Sequence, residues 1–490
     1  MTTSPQSSAG SSASRVGPHR KRTLLGAIGL TTLGAVLPGV GFILVGRRLL
    51  GLLVLLPTLV LVGLAGWFLR TDPRGVIAIA VDPERLLVTS LALLFLLLVW
   101  VSVIVATYLV ARPLDSPPGQ SFLGGVFVAL LCCLVAAPLA IGARYSMVQR
   151  DVVIKVFAKA EDGVSATRPT ILPDADPWDG SARVNVLLLG GDGSVDREGV
   201  RTDSVIVASM DVDTGDTVLF SLPRNLEEVP FPKDSPLHDL YPLGFDGPGS
   251  ELEWMLNAVY GKVPELHPKV LGESDNEGAD ALKQAVSGAL GIDVDYYVLI
   301  NLAGFQKVVE AMGGVTVNIN QPIPIGGNTD LNIAPEDYLE PGPNQHLDGF
   351  EALWFARGRY GLDDYDRMER QRCMVDAIVE AADPFTLLRR YEGLAHTGAD
   401  NVLTDIPQEL LRDFLDLALE VKDAKLRSVV FQSSARFNPG DPDYDWLHAT
   451  VQRALVNDPG GGGKSGGKNG GSEPTPAERP ADACAYAPVD

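Results

Sequence analysis

The sequence predicts an α/β domain carried behind an α-helical membrane region. Three observations lead there. Residues 24–142 hold four long apolar runs with few charges. After residue 183 comes a continuous apolar run, VNVLLLG, and then two strand-like runs, SVIVASM and TVLFSLP, on either side of the turn-rich hexapeptide DVDTGD. Helical patterns then alternate with further strand-like runs to about residue 457.

The first 22 residues are Ser/Thr/Ala-rich and end in a basic patch of Arg15, Arg20, Lys21 and Arg22. They read as a disordered N-terminus, cytoplasmic because basic flanks stay inside. No short apolar core with a small-residue cleavage site follows, so a removable signal is not read. The apolar runs are 24–46, 49–69, 86–111 and 122–142, each near the ~20 residues that cross a bilayer as a helix. The first has a Pro/Gly break at its centre, AVLPGVGF, and two arginines follow at once, Arg47 and Arg48. It reads as a re-entrant or interfacial hairpin, whose non-helical backbone needs protein or water cover. Three true spans put the chain after about 143 outside the cell; four plain spans would keep it inside.

Residues 143–183 read as an extracellular stalk, a short helix passing into the Pro/Asp-rich ATRPTILPDADPWDG. The folded domain is expected at 184–457, and the Gly/Pro-rich tail at 458–490 has no core-forming pattern. Within the domain, strands are expected at 184–190, 204–210, 217–223, 296–302 and near 427–431, and GGVTVNI continues the chain from Gly313. Helices are expected at 250–260, 278–290, 303–312, 348–356, 364–382, 384–395 and 407–421, with Gly313 and Gly314 suited to a helix C-cap. DVDTGD reads as a hairpin turn.

Charge narrows the function. The whole chain carries −21, and the part after residue 150 holds 28 basic and 57 acidic residues. Such a field repels polyanions, which argues against nucleic acid. Four cysteines are too few for a disulfide scaffold, and Cys373 has no local partner. No Cys or His spacing suggests zinc. Against this background five arginines fall between Arg357 and Arg372. A guanidinium meets phosphate oxygens two at a time, so the cluster suits a local, directed anion site.

Topology adds three residues. In a symmetric hairpin of the second and third strands, Asp203 faces Arg224 across the ladder. Asp192 closes the first strand, so Asp192, Asp203 and Arg224 gather at one sheet edge if that strand lies beside the hairpin. The long helix at 364–382 carries Val375, Ile378 and Ala382 on its apolar face. Gln371 and Arg367 continue that stripe toward its N-terminus. The alternative is local pairing of these polar groups with Asp363, Asp364 or Asp366.

These residues sit in motifs that resemble the LytR-CpsA-Psr family of membrane-anchored cell-envelope enzymes. The motifs are NVLLLGGDG (185–193), RTDSVIVASMD (201–211), FSLPRN (220–225), LNAVYG (256–261), DYYVLINLAGFQKVVEAMGGVTVNI (295–319), HLDGFEALWFARGRY (346–360) and DDYDRMERQR (363–372). The resemblance implies a mixed β-sheet flanked by helices on both sides, with a hydrophobic tunnel for a polyprenyl chain. It implies a phosphotransferase that moves a glycopolymer from a polyprenyl-pyrophosphate carrier onto peptidoglycan through a phosphodiester bond. By the same carry-over, Asp192 and Asp203 serve Mg²⁺ and catalysis, and Arg224, Arg357, Arg359 and Arg367 hold the pyrophosphate with Gln371 beside them. Arg370 and Arg372 are expected to pair with nearby carboxylates.

Three positions depart from the family pattern. Asn225 stands where an aspartate is usual, Ser194 where an arginine is common, and Met255 where a lysine is common, so the anion site is less cationic than usual. Two other readings stay open: hydrolysis of polyprenyl-pyrophosphate compounds at the same site, and a non-catalytic envelope lipid-binding protein. The partners implied are the carrier-linked glycopolymer, peptidoglycan and membrane lipid. A multi-span anchor also leaves room for a membrane protein partner.

Overall fold

The computed structural model describes residues 23–72, 75, 79–113, 117–157, 164–170, 176–191, 202–329, 331–381, 401–456 and 484–488. The N-terminal 22 residues, Asp192, Ser194, the helix expected at 384–395 and the glycine-rich segment to 483 lie outside the described residues. The chain forms two compact units, one of Met1–Val76 with Leu87–Ser146 and one of Ile77–Leu86 with Met147–Asp490.

The first unit is helical. Helices α1 (Leu24–Val36) and α2 (Val40–Leu44) replace the first apolar run. Pro38 lacks an N–H, and Gly39 takes φ 98°, so no helix continues through them. A Cβ on Gly39 would lie 2.4 Å from the Gly51 carbonyl, so the elbow closes backbone on backbone. Helices α3 (Arg48–Thr71), α4 (Pro83–Ala111) and α5 (Pro118–Val156) are long and apolar enough to cross a membrane. Much of their exposed surface is apolar, as at Leu53, Phe95 and Leu134. Inside, the Trp100 indole N–H donates to the Ala35 carbonyl at 2.9 Å.

The second unit is built on a six-stranded mixed sheet of order β10-β3-β2-β1-β4-β9. Its strands are β1 (Arg183–Gly191), β2 (Thr202–Asp211), β3 (Thr217–Leu222), β4 (Tyr296–Asn301), β9 (Val402–Thr404) and β10 (Leu426–Val430). The β1–β2, β2–β3 and β4–β9 pairs are antiparallel, while β1–β4 and β10–β3 are parallel. The central β1, β2 and β3 are apolar on both sides, which is why they read as near-continuous hydrophobic runs. One face, with Leu187, Val207 and Phe220, packs on α7 (Leu256–Leu266), α8 (Glu277–Leu290) and α13 (Tyr444–Val456). Phe220, Leu226 and Phe245 are fully buried in that core. On the other face Val186 and Tyr296 pack with Leu417 of α12 (Leu411–Asp423), and Ile206 and Leu219 pack with Val375 of α11 (Asp364–Ala381). Helices thus cover both sides.

A smaller body completes the unit. Strands β5 (Val315–Ile319) and β8 (Gly342–Leu347) pair, as do β6 (Ile323–Asn328) and β7 (Ile333–Leu339). They pack with α9 (Leu302–Met312), α10 (Gly349–Arg357) and α11 around Val309, Ile319 and Phe355. β6, β7 and β8 were not expected, because their Pro and Gly residues mask strand periodicity; short two-stranded ribbons tolerate them at unpaired edges. A short helix, α6 (Pro236–Leu240), and α13 were also missed. The helix expected at 250–260 starts later, at Leu256, after a short 3₁₀ turn.

Two expectations about the domain's edges are corrected. Residues expected as stalk are pinned to the domain. The Ser165 hydroxyl donates to Asp280 at 2.9 Å and to Asp405 at 3.1 Å, and the Ala166 N–H donates to Asp280 at 2.9 Å. Asp405 also takes the fully buried Lys283 at 2.8 Å. Likewise the last described residues are not free tail. Cys484 forms a disulfide with Cys373 of α11, 111 positions away. Asn318 donates to the Cys484 carbonyl at 2.9 Å, and Asn320 receives the Ala487 N–H at 2.9 Å. Sequence distance hid this pair.

Candidate functional site

The β2–β3 register places Val205 opposite Leu222. Two residues further, Asp203 and Arg224 meet, and Arg224 Nη1 donates to Asp203 Oδ1 at 2.6 Å. The Arg224 loop is fixed from behind. The first amides of α7 have no partner within their own helix. The Leu256 N–H donates to the Leu226 carbonyl at 2.8 Å, and the Asn257 N–H to the Arg224 carbonyl at 3.0 Å.

Helix α11 brings the next residues. The Asp363 carboxylate caps its start, accepting from the Tyr365 and Asp366 N–H groups at 2.7 and 2.9 Å. Asp364 then lies 3.6 Å from Arg224 Nε and 3.0 Å from Arg367 Nη2. Arg367 also donates to the Asp203 carbonyl at 3.0 Å. Asp203, Arg224, Asp364 and Arg367 therefore form one network of alternating charge. Arg367 is 3% exposed. Burial pushes its pKa down, and the Asp364 charge opposes that shift. Its Nε is buried without a hydrogen-bond partner among the described residues. Arg367 continues the buried stripe of its helix and pairs locally with Asp364, the alternative the sequence left open; unlike Arg224, it does not line the cavity that Arg357 and Arg359 share.

The other arginines come from the end of α10. A capping box of Asp348 and Glu351 starts that helix, and Arg357 ends it. The Arg357 guanidinium lies 5.1 Å from the centre of the Trp354 ring. Arg224, Arg357 and Arg359 line one cavity of about 470 Å³. Asn225, Trp354, Tyr360, Leu362, Asp364, Tyr365 and the end of β6 with Thr329 also line it. Gly326 and Gly327 take φ 75° and 81°, and a Cβ on Gly327 would crowd the Tyr360 ring at 3.1 Å.

Gln371, Arg370 and Arg372 do not line this cavity. Gln371 donates to the Ala356 carbonyl at 3.2 Å, tying α11 to the end of α10 below Arg357. Arg370 hydrogen-bonds the carbonyls of Asp366 and Gly358, not the expected carboxylates, and burial lowers its pKa to about 10. Arg372 donates to the Ser428 hydroxyl at 3.1 Å. Of the departures, Asn225 faces the cavity and Met255 precedes α7 at its N-cap position.

Asp192 lies outside the described residues, so the expected pair of Asp192 and Asp203 is not on view. Among the described residues no three His, Cys, Asp or Glu side chains group as a metal site. The oxygen donors at the sheet edge are Asp203 and Asp364, and both are shared with arginine. Mg²⁺ is usually held by one or two carboxylates plus substrate phosphates. This donor set fits a cation that arrives with a phosphate ligand, not one caged by protein alone.

Sequence reasoning named Asp364 only as a local partner and missed Trp354 and Tyr360. The signal for Asp364 was its position three residues before Arg367, on the same helix face.

The LytR_cpsA_psr family model matches residues 152–451, more than half of the chain. Among curated proteins, the polyisoprenyl-teichoic acid–peptidoglycan teichoic acid transferase TagU of Enterococcus faecalis is 30% identical over 246 residues, 49% of this chain and 66% of that one. TagU of Bacillus cereus is 27% identical over 237 residues, 48% of this chain and 64% of that one. The chain thus spans just under two thirds of the length of these relatives. The crystal structure of Bacillus subtilis TagV aligns with 56% of this chain and 98% of its own, at 23% identity and a TM-score of 0.39.

Proposed function

Since this chain belongs to the LytR-CpsA-Psr family, we propose that it is a membrane-anchored phosphotransferase, moving a glycopolymer from a polyprenyl-pyrophosphate carrier onto peptidoglycan. The observation that carries this reading is the convergence of Arg224, Arg357 and Arg359 on one cavity in a strongly acidic domain. Phosphoryl transfer asks the protein mainly to position reactants and to neutralise charge. The acceptor hydroxyl oxygen bonds to the glycopolymer-side phosphorus. The bond from that phosphorus to the bridging oxygen breaks, and polyprenyl phosphate leaves with the bond's electron pair. The hydroxyl proton passes to an aspartate, Asp192 or Asp203. Arg357 and Arg359 reach the phosphate oxygens from the exposed end of α10, while Arg224 reaches them from the sheet edge.

Arg367 acts one layer below, keeping Asp203 and Asp364 in place. Gln371 supports the Arg357 end of α10. Asp203, with Asp192, would hold Mg²⁺ together with substrate oxygens, adding charge neutralisation when bound. We place the N-terminus in the cytoplasm and the domain outside, on the basic N-terminal flank and three spans.

The test supplies full-length protein with a polyprenyl-pyrophosphate sugar chain, Mg²⁺ and peptidoglycan oligomers. A phosphodiester-linked product carries the proposal. Free sugar phosphate with no linked product would replace it with hydrolysis. Binding without turnover would replace it with a lipid-binding role.

A further inference from the structure

The arginines in and beneath the cleft are held in two different ways. Arg224 and Arg367 are held by carboxylates, Asp203 and Asp364. Among the described residues Arg357 has no ion pair with a carboxylate. It is exposed at the last position of α10, where a free side chain would sample many rotamers. What it has is Trp354, one turn earlier, with its ring centre 5.1 Å from the guanidinium carbon. The indole is itself fixed. It is half-buried against the Val309–Phe355 core, and the Phe350 ring lies 6.3 Å away on the preceding turn. Phe350, Trp354 and Arg357 thus form a row at i, i+4 and i+7 that ends in the cavity.

The choice of partner matters chemically. A carboxylate takes the N–H edges of a guanidinium and offsets its charge, which competes with phosphate. An aromatic face takes the cation through its quadrupole and leaves the N–H groups unspent. Resting on the reading of the cleft as a pyrophosphate site, we propose that Trp354 is a positioning residue, whose ring holds Arg357 over the cavity and leaves its donors free for phosphate oxygens. Trp354 itself makes no bond to the reacting atoms.

The test is a double-mutant cycle on the full-length protein in detergent, with inorganic pyrophosphate as the probe and calorimetry as the readout. Trp354→Leu keeps apolar bulk and loses the strong quadrupole; Trp354→Phe keeps a weaker one. An exposed cation–π contact corresponds to roughly two- to fivefold in binding. Trp354→Leu should weaken pyrophosphate binding by about that factor, and Trp354→Phe should recover most of it. In an Arg357→Ala background, Trp354→Leu should change nothing further. Equal losses in both backgrounds, or Leu matching wild type, would overturn the proposal. Thermal melts of the variants establish folding. Wild-type binding by Arg357→Ala alone would instead overturn the pyrophosphate site itself, so the two failures are distinguishable.

Discussion

Arg224 meets Asp203 at 2.6 Å at the open end of the β2–β3 ladder, where the register of the sheet alone brings them opposite each other. Asp203 at Nη1 and Asp364 near Nε hold the guanidinium where it lines the cavity. A lysine there would keep the charge and lose the fork. Arg224→Lys should therefore lower the transfer rate by about 10²-fold, the scale of losing one oriented donor to a charged transition state. Thermal stability should change little, since both partners are partly exposed. Parallel rate measurements and melts check both parts.

Asp364 serves two arginines, so its loss should be felt in the fold and in the site. Asp364→Asn removes the charge facing the buried Arg367 and loosens Arg224. A cost of about 2 kcal/mol is expected, the scale of a hydrogen bond to a charged group. A melt of the variant, read beside its pyrophosphate affinity, should show both losses. Loss of affinity with an unchanged melting temperature would show that Asp364 does not support Arg367.

The Cys373–Cys484 disulfide closes a long loop onto α11. Closing a loop of that length contributes about 2–5 kcal/mol, chiefly by restricting the unfolded chain. Reductant, or Cys373→Ser with Cys484→Ser, should lower the melting temperature of the domain. Mass spectrometry of the unreduced protein should find these two cysteines linked.

Asp295 gives a pH signature. It accepts the Asn185 N–H at 2.7 Å, but burial dominates and lifts its pKa from 3.8 to about 6. A carboxyl raised on folding binds its proton more tightly in the native state. Its contribution is full below about pH 3.8 and is lost as pH rises through about 6. Asp295→Asn should therefore gain stability over wild type progressively from pH 4 to 7. The difference in melting temperature across that range checks the sign.

Much of the fold was legible because the central strands and α8, α9 and α11 carry periodicity strong enough to read locally. The meeting of Asp203 with Arg224 followed from a hairpin's symmetry. What was hidden depended on contacts between distant segments. Cys373 and Cys484 share no local pattern, and Ser165 finds Asp280 and Asp405 only once the sheet is built. Trp354 falls inside the helix expected at 348–356, and nothing in its spacing says that its ring faces a cation. Arg370 read as one more charged partner for acids, yet its guanidinium bonds backbone carbonyls at the α10–α11 junction.

The central claim is that transfer runs through the arginine-lined cavity. The most direct measurement is the rate of phosphodiester formation between a polyprenyl-pyrophosphate glycopolymer and peptidoglycan by Arg357→Ala beside wild type, with both shown to be folded. Arg357 lines the cavity, is exposed and stands outside the buried network, so its removal should spare the fold. A fall of about 10²-fold or more is predicted. Wild-type rates from the variant would contradict the claim.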